Sequence, residues 1–176
     1  MNATLLLIAD LVLRLAALLF LIRFLLQASK ADFYNPISQF VVKGSDPLTR
    51  PLRALLPSLG SWDFASLLVG WIMCILFVVL ITLGSLGISD YLILGLVRML
   101  SVLIDFYFWS IIIVIIASFL SSGQYNPGLG LLQQLVEPLV APIRRLLPDT
   151  GPLDFSPMIV ILILTILQRA LSGGLG

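Results

Sequence analysis

Residues 34–67 read YNPISQFVVKGSDPLTRPLRALLPSLGSWDFASL, and residues 125–158 read YNPGLGLLQQLVEPLVAPIRRLLPDTGPLDFSPM. Aligned without a gap at an offset of 91 residues, the two stretches are identical at 13 of 34 positions. The shared residues include prolines, an arginine, a Leu-Leu-Pro step and an Asp-Phe pair, all in the same order. Similarity of this kind at a fixed offset indicates an internal duplication and not merely a shared composition.

Each copy lies between two long apolar runs, so the chain contains four of them, at about residues 5–26, 64–83, 92–120 and 155–171. A helix of about 20 residues rises 30 Å, which is the thickness of the bilayer core. The chain is 60% hydrophobic and only 11% charged, whereas soluble domains carry about 25% charged residues. We therefore predict an all-α membrane protein with four transmembrane helices.

The duplication predicts the domain organisation. Residues 1–90 form the first repeat and residues 91–176 the second, and each repeat has two spans joined by a polar, proline-rich segment. Because a repeat with two spans returns to the side from which it started, we expect parallel repeats, related by an axis near the membrane normal.

The polar segments carry helix-start signals. Asn followed by Pro is typical of an N-cap and the first helical residue, and an acidic residue followed by Pro marks a second start about ten residues later. We therefore expect two short amphipathic helices in each segment, lying at the headgroup level. The residues that make up this repeated motif are Asn35, Pro36, Pro47, Pro51 and Pro57 in the first copy and Asn126, Pro127, Pro138, Pro142 and Pro148 in the second.

The basic residues predict the orientation. Seven of the ten lysines and arginines belong with the two polar segments. By the positive-inside rule, both polar segments should face the cytoplasm and both termini should lie outside.

Two ionisable residues lie within the apolar runs at the same position of the two repeats, Arg14 in the first span and Asp105 in the third. A charge at mid-bilayer costs about 2.5–3.5 kcal/mol on insertion scales unless it finds a partner. We expect a direct pair between them. Such a pair could simply hold the repeats together, or it could belong to an ion path or a partner contact, and each residue could instead reach the interface separately.

The polar segments also contain a repeated arginine, Arg53 in one copy and Arg144 in the other, with Arg50 and Arg145 close by. Beside an apolar stripe, these side chains suit anionic lipid headgroups or a protein partner. The alternative is that they are solvated anchors of the positive-inside kind.

Several classes of function are disfavoured. There is no histidine and only one cysteine, Cys74, which removes the usual residues of zinc, copper and haem sites and of acid–base catalysis. A net charge of +1 gives no argument for nucleic acid. We find no nucleophile–base pair, phosphate loop or metal-ligand spacing. We expect neither an enzyme nor a bound cofactor.

The two-span unit resembles the YggT family of small integral membrane proteins. The resemblance rests on Asn-Pro at the start of the polar segment and on the core Pro-Leu-x-x-Pro-Leu/Ile-Arg-x-Leu-Leu-Pro, found at 47–57 and 138–148. It implies a multi-pass protein of the bacterial plasma membrane. It also implies a role in osmotic-stress tolerance, cell division or nucleoid organisation, or in assembly, as for plastid relatives that look like factors for haem attachment to a cytochrome b-type subunit. The resemblance supplies no catalytic residues.

We therefore expect a non-enzymatic membrane factor whose partners are the lipid bilayer and either another membrane protein or further copies of itself. The alternative is a small channel or transporter subunit that uses Arg14 and Asp105. Four spans are few for a solute path, so this alternative would need an oligomer.

Overall fold

The computed structural model describes residues 3–54, 56, 60–120, 126–147 and 154–173. Within these ranges the chain forms six α-helices and no strand. They are α1 (Ala3–Ala28), α2 (Pro36–Arg53), α3 (Phe64–Thr82), α4 (Ile88–Leu120), α5 (Pro127–Leu146) and α6 (Ser156–Gly173). The motif prolines Pro57 and Pro148 lie outside the described residues.

Four of the helices, α1, α3, α4 and α6, are long and apolar enough to cross a membrane. They fall on the four apolar runs of the sequence, and α2 and α5 fall on the two polar segments. The predicted fold class, an all-α membrane protein with four spans and amphipathic helices between them, is confirmed.

The chain forms two compact units, Met1–Leu103 and Ile104–Gly176, and the boundary between them falls within α4. This is a division by compactness, whereas the boundary at residues 90 and 91 is a division by sequence similarity and stays a prediction. The helix bounds follow the offset of the duplication, since α2 begins at Pro36 and α5 begins 91 residues later at Pro127.

In the first unit, α1 packs along α3. The small residues Ser66, Gly70 and Cys74, spaced four apart, are buried on α3. A Cβ atom on Gly70 would lie 3.5 Å from the Ala17 carbonyl oxygen, which is ordinary van der Waals contact. This stripe therefore lets the two helices approach closely. Next to it lies a core of Ala17, Leu21, Cys74, Met99 and Val102.

The expectation of two short helices in each polar segment is wrong. Each segment forms one helix, α2 with Pro47 and Pro51 inside it and α5 with Pro138 and Pro142 inside it. A proline in a helix interior removes one backbone hydrogen bond, that to the carbonyl four residues earlier, which for Pro47 is the carbonyl of Lys43. In α2 the Ser45 hydroxyl donates to the Val41 carbonyl at 2.5 Å, and Arg23 donates to the Val42 carbonyl at 2.9 Å. Both acceptors are neighbours of Lys43, so these bonds stabilise the turn that precedes Pro47 without replacing the bond that the proline removes.

The starts of these two helices match the sequence signals. Asn35 caps α2 by accepting a hydrogen bond from the Ile37 amide at 2.9 Å, and Asn126 caps α5 by accepting from the Gly128 amide at 2.9 Å.

In the second unit, α5 packs on α6. Leu131, Leu135, Val136 and Val140 of α5 are buried there, with Val160 and Leu164 of α6.

Candidate functional site

Arg23 is the most deeply buried basic side chain among the described residues. It lies in the last third of α1, and only 3% of its side chain is exposed. A buried guanidinium is destabilising unless acceptors surround it, because its hydration is lost. The surroundings of Arg23 therefore define the first polar site of the fold.

The Arg23 guanidinium binds α2 through several acceptors. Nη2 lies 2.7 Å from Asp46 Oδ1, and Nη1 donates to the Ser45 hydroxyl at 2.6 Å and to the Val42 carbonyl at 2.9 Å. The planar fork of arginine suits such a spread of acceptors better than the point charge of lysine. One side chain of α1 thus fixes the position of α2.

Asp63, at the start of α3, completes the site. Its Oδ2 lies 3.4 Å from Arg23 Nε, and the same carboxylate forms an ion pair with Arg53 at the end of α2. Asp63 also caps α3, accepting from the Ser66 hydroxyl at 2.7 Å and the Ser66 amide at 3.3 Å. We call Arg23, Asp46, Arg50, Arg53 and Asp63 the first ion network, and it joins α1, α2 and α3.

The pKa values of the two carboxyl groups reflect these contacts. The hydrogen bond from Arg23 is the largest influence on Asp46 and holds its pKa below the ordinary value of 3.8. Burial by itself raises the pKa of Asp63, but the hydrogen bonds from Arg53 and Ser66 outweigh it, so that this pKa too is lowered. Both groups are therefore carboxylates at neutral pH.

The second unit repeats one part of this site. Arg144 Nε donates to Asp154 Oδ2 at 2.8 Å, and Arg144 Nη1 donates to Glu137 Oε1 at 2.7 Å. These bonds, that to Asp154 first, raise the pKa of Arg144. Hydrogen bonding from Ser156, and after it from Arg144, lowers the pKa of Asp154. Arg144, Glu137 and Asp154 form the second ion network, which is more open than the first because each side chain is 40–53% exposed.

The duplicated arginine therefore has the same partner in both units. Arg53 and Asp63 lie 91 residues before Arg144 and Asp154, and each arginine joins the end of an amphipathic helix to the start of a span. Arg50 is 77% exposed and pairs with Asp46 at 2.9 Å, and Arg145 is exposed at the end of α5. Binding of lipid or a partner by these four arginines stays a prediction.

The other predicted pair consists of residues in different units. Arg14 lies on an exposed part of α1. Asp105 lies in α4 and accepts a hydrogen bond from Gln168 Nε2 of α6 at 2.8 Å. Direct pairing of Arg14 with Asp105 stays a prediction.

Two features of the structure were not predicted from the sequence. Arg23 lies inside the first apolar run, where an arginine signals an acidic partner elsewhere in the chain, but the sequence does not show which residue that partner is. The second feature is an ion pair between Arg98 and Asp10, with the Arg98 guanidinium carbon 3.6 Å from the centre of the Phe77 ring. Nothing in the spacing of these three residues indicates that they meet.

The two ion networks can hold neighbouring helices together, and their arginines can present positive charge at the ends of α2 and α5. No group of three or more metal-ligating side chains occurs in the part of the chain that the structure describes.

Comparison with known proteins identifies a family model and several proteins that are similar to this chain. The family model described as CCB3/YggT matches residues 1–84 and 93–175. An uncharacterized protein from the proC 3′ region of Vibrio alginolyticus is 42% identical over 147 residues, covering 81% of this chain and 79% of that protein. The uncharacterized protein YggT of Escherichia coli K12 is 40% identical over 166 residues, covering 92% and 85%. An uncharacterized protein of Haemophilus influenzae is 35% identical over 165 residues, covering 94% and 90%. No solved structure matches.

Proposed function

Because this chain belongs to the CCB3/YggT family, we propose that it is a multi-pass protein of the bacterial plasma membrane that acts by binding partners and not by catalysis. Its partners are other membrane proteins, further copies of itself, or lipids. The process it serves is assembly, osmotic-stress tolerance or cell division.

The observation that carries this proposal is the outward side of α2. The side chains of Ile37, Phe40 and Leu48 are 45%, 72% and 50% exposed, and Tyr34 just before the helix is 91% exposed. The opposite side of the same helix is held by Arg23 through Ser45 and Asp46. A helix that is fixed on one side and exposes large apolar side chains on the other suits an interface with lipid or protein. The ion networks have a positioning role in this proposal.

The same proposal includes an orientation. The polar helices α2 and α5 face the cytoplasm and both termini lie outside, because the lysines and arginines are grouped with the polar segments.

Site-specific photocrosslinking in intact membranes tests the proposal. A photoreactive residue is placed at Phe40 on α2, and the matched control places it at Leu7, which is 70% exposed on the apolar span α1. We expect a discrete protein adduct from position 40 and only lipid adducts from position 7. Loss of that adduct in Arg23→Gln, with the protein still in the membrane, would show that Arg23 positions α2. Lipid adducts alone at both positions would contradict protein binding by α2.

The second candidate is a channel or transporter subunit. The observation in its favour is the hydrogen bond between Gln168 and Asp105, which brings polar groups of α6 and α4 together inside apolar spans. Polar side chains within spans often mark ion pathways. Purified protein in liposomes tests this candidate directly. Ion flux that Asp105→Asn abolishes would favour the channel over the partner-binding factor.

A further inference from the structure

The second unit contains a cavity of about 250 Å³ between α4, α5 and the start of α6. It is bordered by Val114, Val136 and Val140 on its apolar side and by Glu137 and Arg144 on its polar side. This volume lies just below the range of about 300–1,000 Å³ that small-molecule pockets occupy, so it suits a group the size of a side chain.

The duplication identifies what fills the corresponding place in the first unit. Ninety-one residues before Val114 lies Arg23, and the positions of Val136 and Val140 are those of Ser45 and Thr49. In the first unit these positions are filled by the Arg23 side chain and by the hydroxyls around it, all of them buried. The cavity therefore lies where the first unit holds a guanidinium group.

The acidic acceptors of that guanidinium are kept in the second unit. Asp46 returns as Glu137, and Asp63 returns as Asp154. The first ion network has three arginines for two carboxylates, whereas the second has Arg144 alone for two carboxylates. The second network thus has a net charge of −1 where the first has +1, beside a space that fits a cationic side chain.

We propose that this cavity binds a guanidinium group on an alkyl stem, supplied by an arginine side chain of a partner polypeptide. The stem contacts the three valines, and the guanidinium meets the carboxylate of Glu137, as Arg23 meets Asp46 in the first unit. The assignment to a partner polypeptide rests on the proposed function, whereas the chemistry of the site does not.

The chemistry is tested with n-butylguanidinium chloride, which carries a guanidinium group on an alkyl stem, as an arginine side chain does. We expect a saturable rise in the melting temperature of the purified protein, about 3–6 °C at roughly ten times the Kd of the probe. Two variants should abolish the rise: Val114→Arg, which supplies the guanidinium from α4, and Glu137→Gln, which removes a carboxylate at an exposed position. An equal rise in the wild type and in both variants would overturn the site.

The first unit provides the reciprocal variant. Arg23→Val introduces at α1 the residue that the second unit has at α4, so we expect the probe to raise its melting temperature by more than it raises that of the wild type. If this variant does not fold, Val114→Arg and Glu137→Gln still decide the question.

The source of the group is tested by photocrosslinking from Gln133, which lines the cavity. A polypeptide adduct whose crosslinked residue maps within a few positions of an arginine, and which Val114→Arg removes, supports the partner. Lipid or small-molecule adducts alone at this position would overturn the assignment to a partner polypeptide. If position 133 gives no protein adduct while position 40 on α2 still gives one, this proposal fails and the proposed function stands.

Discussion

At the scale of single residues, the fold of the first unit depends on one buried charge. Arg23 contacts residues of both α2 and α3, whereas the more exposed arginines nearby each pair with a single carboxylate. Burial makes its removal costly, because the carboxylates that remain lose a partner in a region poor in water.

We predict that Arg23→Gln lowers the free energy of unfolding by about 3–5 kcal/mol, the usual effect of removing one member of a buried ion pair. Arg50→Gln is the matched control, because Arg50 is 77% exposed and also pairs with Asp46. Its effect should be within about 1 kcal/mol. Thermal unfolding in detergent measures both. Equal losses in the two variants would show that burial of Arg23 is not what matters.

The lowered pKa values of Asp46 and Asp63 predict a dependence of stability on pH. A carboxyl group whose pKa is lower in the folded chain stabilises the fold above its unfolded value, here 3.8, and this contribution is lost as pH falls through the folded pKa. We expect the melting temperature to fall as pH is lowered from about 5 to about 3. In Asp63→Asn the melting temperature should be lower at pH 7 and should fall less steeply. An unchanged slope would mean that Asp63 does not contribute.

Sequence patterns predicted the local part of this chemistry and missed the long-range part. Asn35 and Asn126 were identifiable as caps because a cap depends on residues two or three positions away. The partner of Arg23 could not be identified, because Asp46 and Asp63 are brought to it only by the packing of α2 and α3 on α1. The same reason explains why Arg98 and Asp10, 88 residues apart, gave no signal.

At the scale of helices, positions of apolar runs were predicted well because length and hydropathy decide them. The continuity of α2 and α5 was not predicted, because an internal proline ends the helix in many sequences, whereas in others the helix continues past it. In α2 the turn before Pro47 is held by Arg23 of α1, and that contact lies outside the local sequence.

Close packing of α3 against α4 predicts unequal effects of two glycine substitutions. A Cβ atom on Gly95 would lie 2.3 Å from Ile75 Cγ1 and 3.3 Å from both Ile75 Cα and Trp71 Nε1. We therefore expect Gly95→Ala to destabilise the protein by about 1–3 kcal/mol, as overpacking does. Gly130→Ala in α5 is the control, because a Cβ there meets no atom within 4 Å. It should stabilise the protein by about 0.5–1 kcal/mol through helix propensity. The order of the two melting temperatures checks the prediction, and a stabilising Gly95→Ala would contradict it.

At the scale of the whole molecule, duplication kept the framework and changed one site. Both units keep the capped amphipathic helix and the arginine that joins it to the following span. Among the described residues only the first unit has a buried arginine, and the hydroxyl residues beside it, Ser45 and Thr49, are replaced by valines in the second. Symmetry of sequence therefore predicts the framework of each unit but not its polar interior.

The proposed orientation gives a prediction for thiol labelling. Lys43 lies exposed on α2 and Ser172 lies exposed near the end of α6, so cysteines at these positions report the two sides of the membrane. With an impermeant reagent added to intact cells, we expect labelling of Ser172→Cys and none of Lys43→Cys until the membrane is permeabilised. The parent protein is the control, since its single cysteine, Cys74, is buried. The reverse pattern would place the polar helices outside.

The buried position of Arg23 also has a consequence for biosynthesis. A ribosome makes the N-terminal part of a chain first. Arg23 is therefore translated 23 residues before Asp46 and 40 residues before Asp63. During that interval α1 carries an arginine whose final acceptors do not yet exist, so water or lipid phosphate must solvate it. α1 therefore reaches its final environment only after α2 and the start of α3 have been made, and we expect a nascent chain arrested before Asp46 to hold α1 with this charge at the membrane surface.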